Sequence, residues 1–574
     1  MIWKIKDKIT PELTRQHPNY NELVLQLLFN RGLTEKNKIE EFLSPDFDRQ
    51  LFDPYLFKDM RLAVERLFQA LLAGEHIMVY GDYDADGVCS TTILFQTLSA
   101  LGAHVDTYIP FRESEGYGLN TKIVQQIINQ KFNLVITVDC GIANKKEIAE
   151  FTTAGIDVII LDHHEEPLEL PQALAIIDPQ VKSCGYPESP LCGAGVAFKF
   201  IQAIIKYQQE NNSPIQLPEG YEKWLLDLAA IATVGDIVPL LGENRIIVKY
   251  GLMVMEKTRN LGLAKMMELV NNRHNSLDTE YLGWRIVPRI NAAGRVGHAS
   301  VAFNLLTAES EEEAEKWAQF LENNNKERQQ ITSKILEAAF IQIAKTAEEE
   351  HILIAEGEGW AAGVVGLVAG RLADKHRRPA LVFTKEGDKY LASGRSIEEF
   401  DITEALKQCH DLLAKYGGHP QACGLTIIGE DNFQKFKEKI RQLAKGKLIG
   451  LDLTPTLLID TEIKLSQIDW QLLEEVSKFE PFGEDNEQPL FAAFGLSVEQ
   501  VQTVGVDGKH LKVLVSQNGD LSNLHKLIGF SFGEWCARLK AGDKIDIVFE
   551  LGVNEWNGNK ELQLKIEDLK ISEK

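Results

Sequence analysis

Asp82, Asp84 and Asp86 offer the clearest chemistry in the chain, within Gly81-Asp82-Tyr83-Asp84-Ala85-Asp86-Gly87. They follow an apolar run, Ile77-Met78-Val79, and precede a helical pattern that begins near Ser90. The carboxylates therefore alternate just past the C-terminal end of an expected strand, the edge at which open α/β sheets bind ligands. On an extended backbone, alternation would let all of them approach one point. Clustered carboxylates repel one another unless a cation lies among them, so a divalent metal is the natural partner. Taken alone, the stretch reads equally well as an Asp/Gly turn between strand and helix.

Other apolar runs end the same way. Leu134-Val135-Ile136-Thr137-Val138 runs into Asp139, Val158-Ile159-Ile160-Leu161 into Asp162-His163-His164, and the helical run Leu225 to Ala232 into Thr233-Val234-Gly235-Asp236. Each ending by itself is a turn acid or a packed imidazole. Together, on one edge of one sheet, they favour a metal centre. Carboxylate oxygen and imidazole nitrogen suit Mn²⁺ or Mg²⁺ rather than thiolate-held zinc. An Asp shared between two ions would build a phosphoryl-transfer site with the ions about 3.5–4 Å apart.

Gly81 to Gly87, Val138-Asp139-Cys140-Gly141, Asp162-His163-His164 and Thr233 to Asp236 resemble the motifs of the DHH phosphoesterase superfamily. The Gly-Asp-Tyr-Asp-Ala-Asp-Gly form is similar to that of its bacterial single-strand-specific exonucleases. By that resemblance Asp84, Asp86, Asp139, His163 and Asp236 match ligands of two Mn²⁺ or Mg²⁺ ions. Asp82 matches a ligand or an outer group that orients the nucleophile, and His164 matches the histidine that contacts the scissile phosphate. Asp82, Asp139 and His164 are thus the expected catalytic residues.

Candidate nucleic-acid contacts lie elsewhere along the chain. In the loop Pro110 to Leu119, Arg112 offers a planar phosphate fork and Tyr117, between glycines, a face for a base. The resemblance implies that this loop helps hold the 5′ end. Cys192-Gly193-Ala194-Gly195 opens a helix and suits either an anion at its N-terminus or close packing. Pro288 to Arg295 reads as a backbone-binding loop interrupting a helical region, with Arg289, Asn291 and Arg295 as contacts. Ser393 and Arg395 suit a terminal phosphate. Gly417 and Gly418 read as the end of a helix from Thr403 to Lys415, leaving amides and His419 to face a strand. Gly417-Gly418-His419 resembles the signature of the DHH-associated substrate domain, which adds Gly418 and His419 to the expected contacts. Where that family usually has a histidine after the tryptophan, Trp360 is followed by Ala361, so no role is assigned there.

The elements needed to position these residues give a multidomain α/β reading. Residues 1–72 read as an N-terminal helical cap without chemistry. Residues 73–245, alternating strand and helix with near-continuous apolar strands, read as a DHH-type catalytic domain on a mainly parallel sheet. Residues 246–350 read as a helical connector ending in a long helix from Glu311 to Glu349, and 351–447 as a second, substrate-binding α/β domain. Residues 455–574 are strand-rich, with a hairpin signal at Asn557-Gly558, and read as an OB-type β-barrel. Gly508 to Lys512, Phe532 and Trp556 suit a single-strand groove there, and a barrel core explains the aromatics equally well.

Composition sets the outer bounds. A chain of 574 residues with 44% hydrophobic and 25% charged content is that of an ordinary globular protein. No apolar run is long enough for a membrane span. The start, Met1 to Thr10, lacks a secretory core, and the seven scattered cysteines form no C-x-x-C pair, so a reduced cytoplasmic protein is expected. A net charge of −23 argues against non-specific coating of duplex DNA, while a local basic channel remains compatible with it. The expected function is a two-metal exonuclease acting 5′ to 3′ on single-stranded DNA in repair and recombination, with polarity implied by the resemblance alone. The alternatives are a DHH-type phosphodiesterase for short oligonucleotides or cyclic dinucleotides, and a non-catalytic replication scaffold. Single-stranded DNA is the expected partner, a single-strand-binding protein and a helicase are candidate protein partners, and a monomer is expected.

Overall fold

The structure, a computed structural model, describes residues 1–112, 114–187, 190–270, 277–344, 350–556 and 559–572. Ile2–Ile5 (β1) is an edge strand whose partner lies far along the chain. The first large sheet contains β2 (His76–Tyr80), β3 (His104–Tyr108), β4 (Leu134–Val138), β5 (Asp157–Leu161) and β6 (Ala175–Ile177). All its pairings are parallel, in the order β3-β2-β4-β5-β6. Because side chains alternate, each strand supplies two cores. Val79, Ile136, Val138 and Ile159 pack on one face against helices α1 (Ala85–Ala100), α2 (Gly193–Asn211) and α3 (Leu226–Gly235). Tyr80, Val135, Val158 and Ile160 pack on the other against Val124, Ile127, Ile148 and Phe151. Coverage of both faces explains why every residue of β4 is buried.

Helix α4 (Gly242–Met255) follows, and a π-helical turn at Leu282–Ile286 leads into α5 (Val287–Val296). The expected loop at Pro288 to Arg295 is thus a helix. Its proline falls in the first turn, directly after the π-helical turn, the kind of local irregularity that accommodates a residue without an N–H. Helix α6 (Glu311–Ile343) bridges the two lobes: Ala318 and Leu321 enter the first core, while Ile335, Ala339 and Ile343 enter that of the second lobe. The stretch 345–349 of the expected helix lies outside the described residues.

The second sheet holds β7 (Leu353–Glu358), β8 (Ala380–Glu386), β9 (Lys389–Arg395), β10 (Lys415–His419) and β11 (Ala422–Ile428) in the order β10-β11-β9-β8-β7. Helix α7 (Ala362–His376) covers one face. The expected helix from Thr403 to Lys415 stops at Gln408, and Gly417, Gly418 and His419 lie on strand β10 rather than at a helix cap. Pairing explains this: residues 415–419 form a hairpin with β11, and Gly418 (φ 142°) lets the strands approach where a Cβ would meet the Ala422 carbonyl at 2.2 Å.

The last module contains β12 (Thr456–Ile459), β13 (Thr461–Glu462), β14 (Leu490–Val504), β15 (His510–Ser516), β16 (His525–Gly529), β17 (Lys544–Trp556) and β18 (Asn559–Ile571). Its pairings run β14-β15-β16-β18-β17 and return from β17 to β14, so the strands close into the ring of an OB fold. Asn557 and Gly558 lie outside the described residues, although β17 and β18 pair up to Trp556 and Asn559. The side chain of Phe532 packs against the barrel core.

The N-terminal segment packs on two separate cores. β1 pairs in parallel with β12, and Val24, Leu25, Leu28, Ile39 and Phe42 share one core with the barrel. Phe57, Met60, Val64 and Leu67 join the first sheet's core.

Candidate metal centre and nucleic-acid interface

The centre forms where β2, β4 and β5 end. Helix α1 begins at Ala85, five residues before the sequence pattern suggests, because Asp84 caps it: Asp84 Oδ1 accepts from the amides of Asp86 at 3.0 Å and Gly87 at 3.1 Å. Asp86 therefore lies in the first helical turn, not on extended backbone. Gly87 is required by the crowding that results, since a Cβ there would sit 2.5 Å from the Asp82 carbonyl oxygen. Asp139 follows β4 in the left-handed region (φ 57°), a conformation aspartate tolerates better than most residues.

These turns converge. His163 Nε2 lies 3.0 Å from Asp139 Oδ1 and 3.6 Å from Asp86 Oδ2, and its Nδ1 lies 3.7 Å from Asp236 Oδ2. Asp82, Asp84 and Asp139 form a second group whose ligand atoms lie within 4.8 Å of one another, as do those of Asp86, His163 and Asp236. Asp139 adjoins both groups, as a bridging carboxylate would.

The glycine-rich entry of α2 does bind an anion, and the anion is internal. Gly193 N and Ala194 N donate to the two oxygens of Asp86 at 2.6 and 2.7 Å. Packing is equally tight, since a Cβ at Gly193 would lie 2.7 Å from Asp139 Cβ.

Electrostatically the cluster is incomplete as protein alone. Burial, reinforced by Asp84, holds the Asp82 carboxyl well above the ordinary carboxylate range. Burial does the same to Asp139, reinforced by Asp86 and Asp84, and raises Asp236 to about 8. Asp82 Oδ1 is buried without a hydrogen-bond partner. A set of oxygen and imidazole donors with one orphaned oxygen and mutual repulsion fits hard divalent cations well.

His164 is held differently. Asp162, fully buried, accepts from His164 Nδ1 at 2.7 Å and from the Ile142 amide at 2.9 Å. Burial opposes charge on His164, but Asp162 outweighs it and lifts the imidazole to about 9. His164 is thus a cation at neutral pH, beside the metal group. The Tyr117 hydroxyl lies 3.0 Å from His164 Nδ1 and donates to the Asp139 carbonyl at 3.1 Å, so this tyrosine offers a hydroxyl to the centre as well as a half-exposed ring.

The remaining expected contacts separate into two groups. Arg112 stacks its guanidinium 4.8 Å above the Tyr83 ring. Arg295 donates to the Gly363 carbonyl at 3.0 Å and is pushed down to about 9 by burial and by the charges of Arg112, Arg328 and Arg395, with Asp84 opposing. Arg395, Ala422 and His419 fall in one row across the second sheet, and Gly394, Cys423 and Gly418 in the next, with Ser393 on the same strand as Arg395. Arg112, Arg295 and Arg395 are close enough to repel one another and form a basic wall within electrostatic reach of Asp82 and Asp84.

Arg289 and Asn291 do not join that wall. Arg289 is buried in an ion pair with Glu322 at 2.7 Å and so ties α5 to α6. Asn291 Oδ1 accepts from the Ala85 amide at 2.8 Å and supports the start of α1. Their partners lie too far along the chain for local reading to find. Asp162 was visible as part of its motif, but its hold on His164 was not.

Comparison with known proteins places this geometry. The DHH family N-terminal domain matches residues 76–233, the DHHA1 domain residues 349–446 and the RecJ OB domain residues 459–568. Fold and site thus define a DHH-family protein carrying DHHA1 and OB modules. The single-stranded-DNA-specific exonuclease RecJ of Bacillus subtilis (strain 168) is 37% identical over 579 residues, spanning 100% of this chain and 71% of that protein. The crystal structure of RecJ from Thermus thermophilus in complex with Mn²⁺ is similar with a TM-score of 0.84 at 28% identity, covering 100% of this chain and 80% of that one. Its Mg²⁺ complex gives a TM-score of 0.77 at 27% identity, covering 100% and 79%. The chain belongs to the RecJ family.

Proposed function

We propose that this protein is a metal-dependent exonuclease that hydrolyses phosphodiester bonds of single-stranded DNA, working 5′ to 3′, in DNA repair and recombination. The observation that carries the reading is the convergence of Asp84, Asp86, Asp139, His163 and Asp236 opposite a wall of arginines. Mn²⁺ or Mg²⁺ would be held by these residues, Asp139 being a donor in more than one candidate group, and would supply activation of water and neutralisation of developing phosphate charge.

The chain's own groups supply the rest. His164, kept charged by Asp162, donates to a phosphate oxygen. Asp82, with its free oxygen, orients the attacking water. Arg112, Arg395 and Ser393 hold a 5′ phosphate, and Arg295 supports the strand beside Asp84. His419 and the Gly418 backbone on β10 guide the strand along the sheet edge.

The proposed division of labour assigns catalysis to 73–245, substrate holding to 351–447 and strand capture to 455–574, joined by 246–350. Residues 1–72 serve as a brace between the first and last of these. A monomer in the cytoplasm, working beside a single-strand-binding protein and a helicase, completes the proposal. All seven cysteines are free thiols, and no described helix is long and apolar enough to cross a membrane.

The test is hydrolysis of end-labelled single-stranded DNA with Mn²⁺, by the wild type and by Asp139→Ala. Loss of cleavage in the variant and after EDTA is expected. Preferential cleavage of dinucleotides or cyclic dinucleotides would point to an oligonucleotide phosphodiesterase, and no Mn²⁺-dependent cleavage at all to a scaffold.

A further inference from the structure

Between its two apolar segments, α6 carries a polar run from Asn323 to Gln330. The hydrophobic pattern lapses there because the helix is crossing from one lobe's core to the other. Within this run Asn325 is buried, 1% exposed, and its Oδ1 accepts from Arg328 Nη2 at 2.8 Å. The guanidinium is thereby oriented, yet its Nε is buried without a partner.

The charges that face Arg328 are Arg371 on α7 and Arg289 on α5. Glu322 neutralises Arg289 at 2.7 Å, whereas no carboxylate among the described residues pairs with Arg328 or Arg371. Arg371 is exposed and follows Gly370, whose added Cβ would lie 3.8 Å from Arg395 Cγ. Arg328 also acts on Arg295, which in turn feels Asp84, so Arg328 links Arg371 to the arginines beside the carboxylates. In a chain of net charge −23, guanidinium groups collected without counter-charge call for a polyanion.

We propose that Arg328 and Arg371 form a further phosphate subsite, beyond the one faced by Arg112, Arg295 and Arg395, through which the enzyme favours strands longer than the shortest it can cleave. The inference rests on the single-stranded-DNA reading above.

The test compares wild type, Arg328→Gln, Arg371→Gln and Arg328→Lys. Binding of a 5′-phosphorylated thymidine 12-mer in EDTA is followed by anisotropy against salt, and Mn²⁺-dependent kcat/KM against strand length. Each Gln variant should bind the 12-mer roughly tenfold more weakly and lower the slope of log K against log salt by about 0.7, the value for one phosphate contact on a single strand. Activity on the shortest cleaved strand should stay near wild type, so the gain with length is lost. Arg328→Lys should keep the slope while losing part of the affinity, because a point charge replaces the fork. Unchanged slopes in both Gln variants, or equal losses on short and long strands, would overturn the subsite. Arg371 is exposed, so its variant decides the matter even if Arg328→Gln folds poorly. Failure of the wild type to bind the 12-mer would sink the exonuclease reading instead.

Discussion

At the residue scale, the metal centre should announce itself in stability before activity is measured. Asp236 holds its proton up to about 8 in the folded, metal-free protein, against an ordinary carboxylate in the unfolded chain. The native state thus binds the extra proton between the two values, and its stability falls as pH rises through that window, with the full loss above about 8. Mn²⁺ takes the deprotonated carboxylate and cancels the loss. The rise in melting temperature on adding Mn²⁺ to EDTA-treated protein should therefore be larger at about pH 8.5 than at about pH 5.5; equal shifts would argue against a buried carboxylate cluster. His164 gives a second expectation. Asp162→Asn removes the charge that sustains its imidazolium, so kcat should fall roughly 100-fold or more with little change in Mn²⁺ affinity. The wild-type rate should also decline as pH passes about 9, where His164 loses its proton. At this scale the sequence was most informative for Asp84, Asp86, Asp139, His163 and Asp236, because each ends a run whose periodicity is visible. It misled at Arg289, whose charge is spent on Glu322, a residue on another helix that no local pattern connects to it.

At the element scale, helix contacts set how closely the lobes approach. Gly363 lies in the first turn of α7 against α5, and a Cβ there would come within 2.4 Å of the Arg295 carbonyl oxygen. Gly363→Ala must separate these helices, at about 1–3 kcal/mol in stability. It should lower kcat/KM on single-stranded DNA while leaving Mn²⁺ affinity intact, as titration calorimetry would show. Element types were read well where periodicity is strong, as in β4, β5 and α6. They were misread where an element is made by its partners: residues 415–419 become a strand only because β11 pairs with them. The start of α1 escaped notice for a related reason, since Asp84-Ala85-Asp86-Gly87 has turn composition and becomes helical through the Asp84 cap.

At the scale of the whole molecule, Arg245 on α4 is a junction. It is 2% exposed, stacks 4.0 Å from the Phe42 ring and donates to the carbonyls of Phe42, Lys478 and Phe479. Three distant parts of the chain meet on one guanidinium. The segment also touches the metal centre's own chain: Leu240 N, a few residues after Asp236, donates to the Glu484 carbonyl at 2.8 Å. Arg245→Met leaves buried carbonyls without donors and should cost about 3 kcal/mol or more. Limited proteolysis should then release the C-terminal module before the core is cut; co-degradation of both would show that other contacts suffice to hold them. None of this was legible in sequence, where Arg245 is one basic residue in a helix.

The pairing of β1 with β12, and of Val24, Leu25 and Leu28 with the barrel, has a consequence for biogenesis. During translation the opening segment leaves the ribosome several hundred residues ahead of the strands that complete it. Its apolar side chains lack their partners through that interval, so a nascent chain arrested before β12 should be cut within this opening segment by a protease that spares the same segment in the full chain.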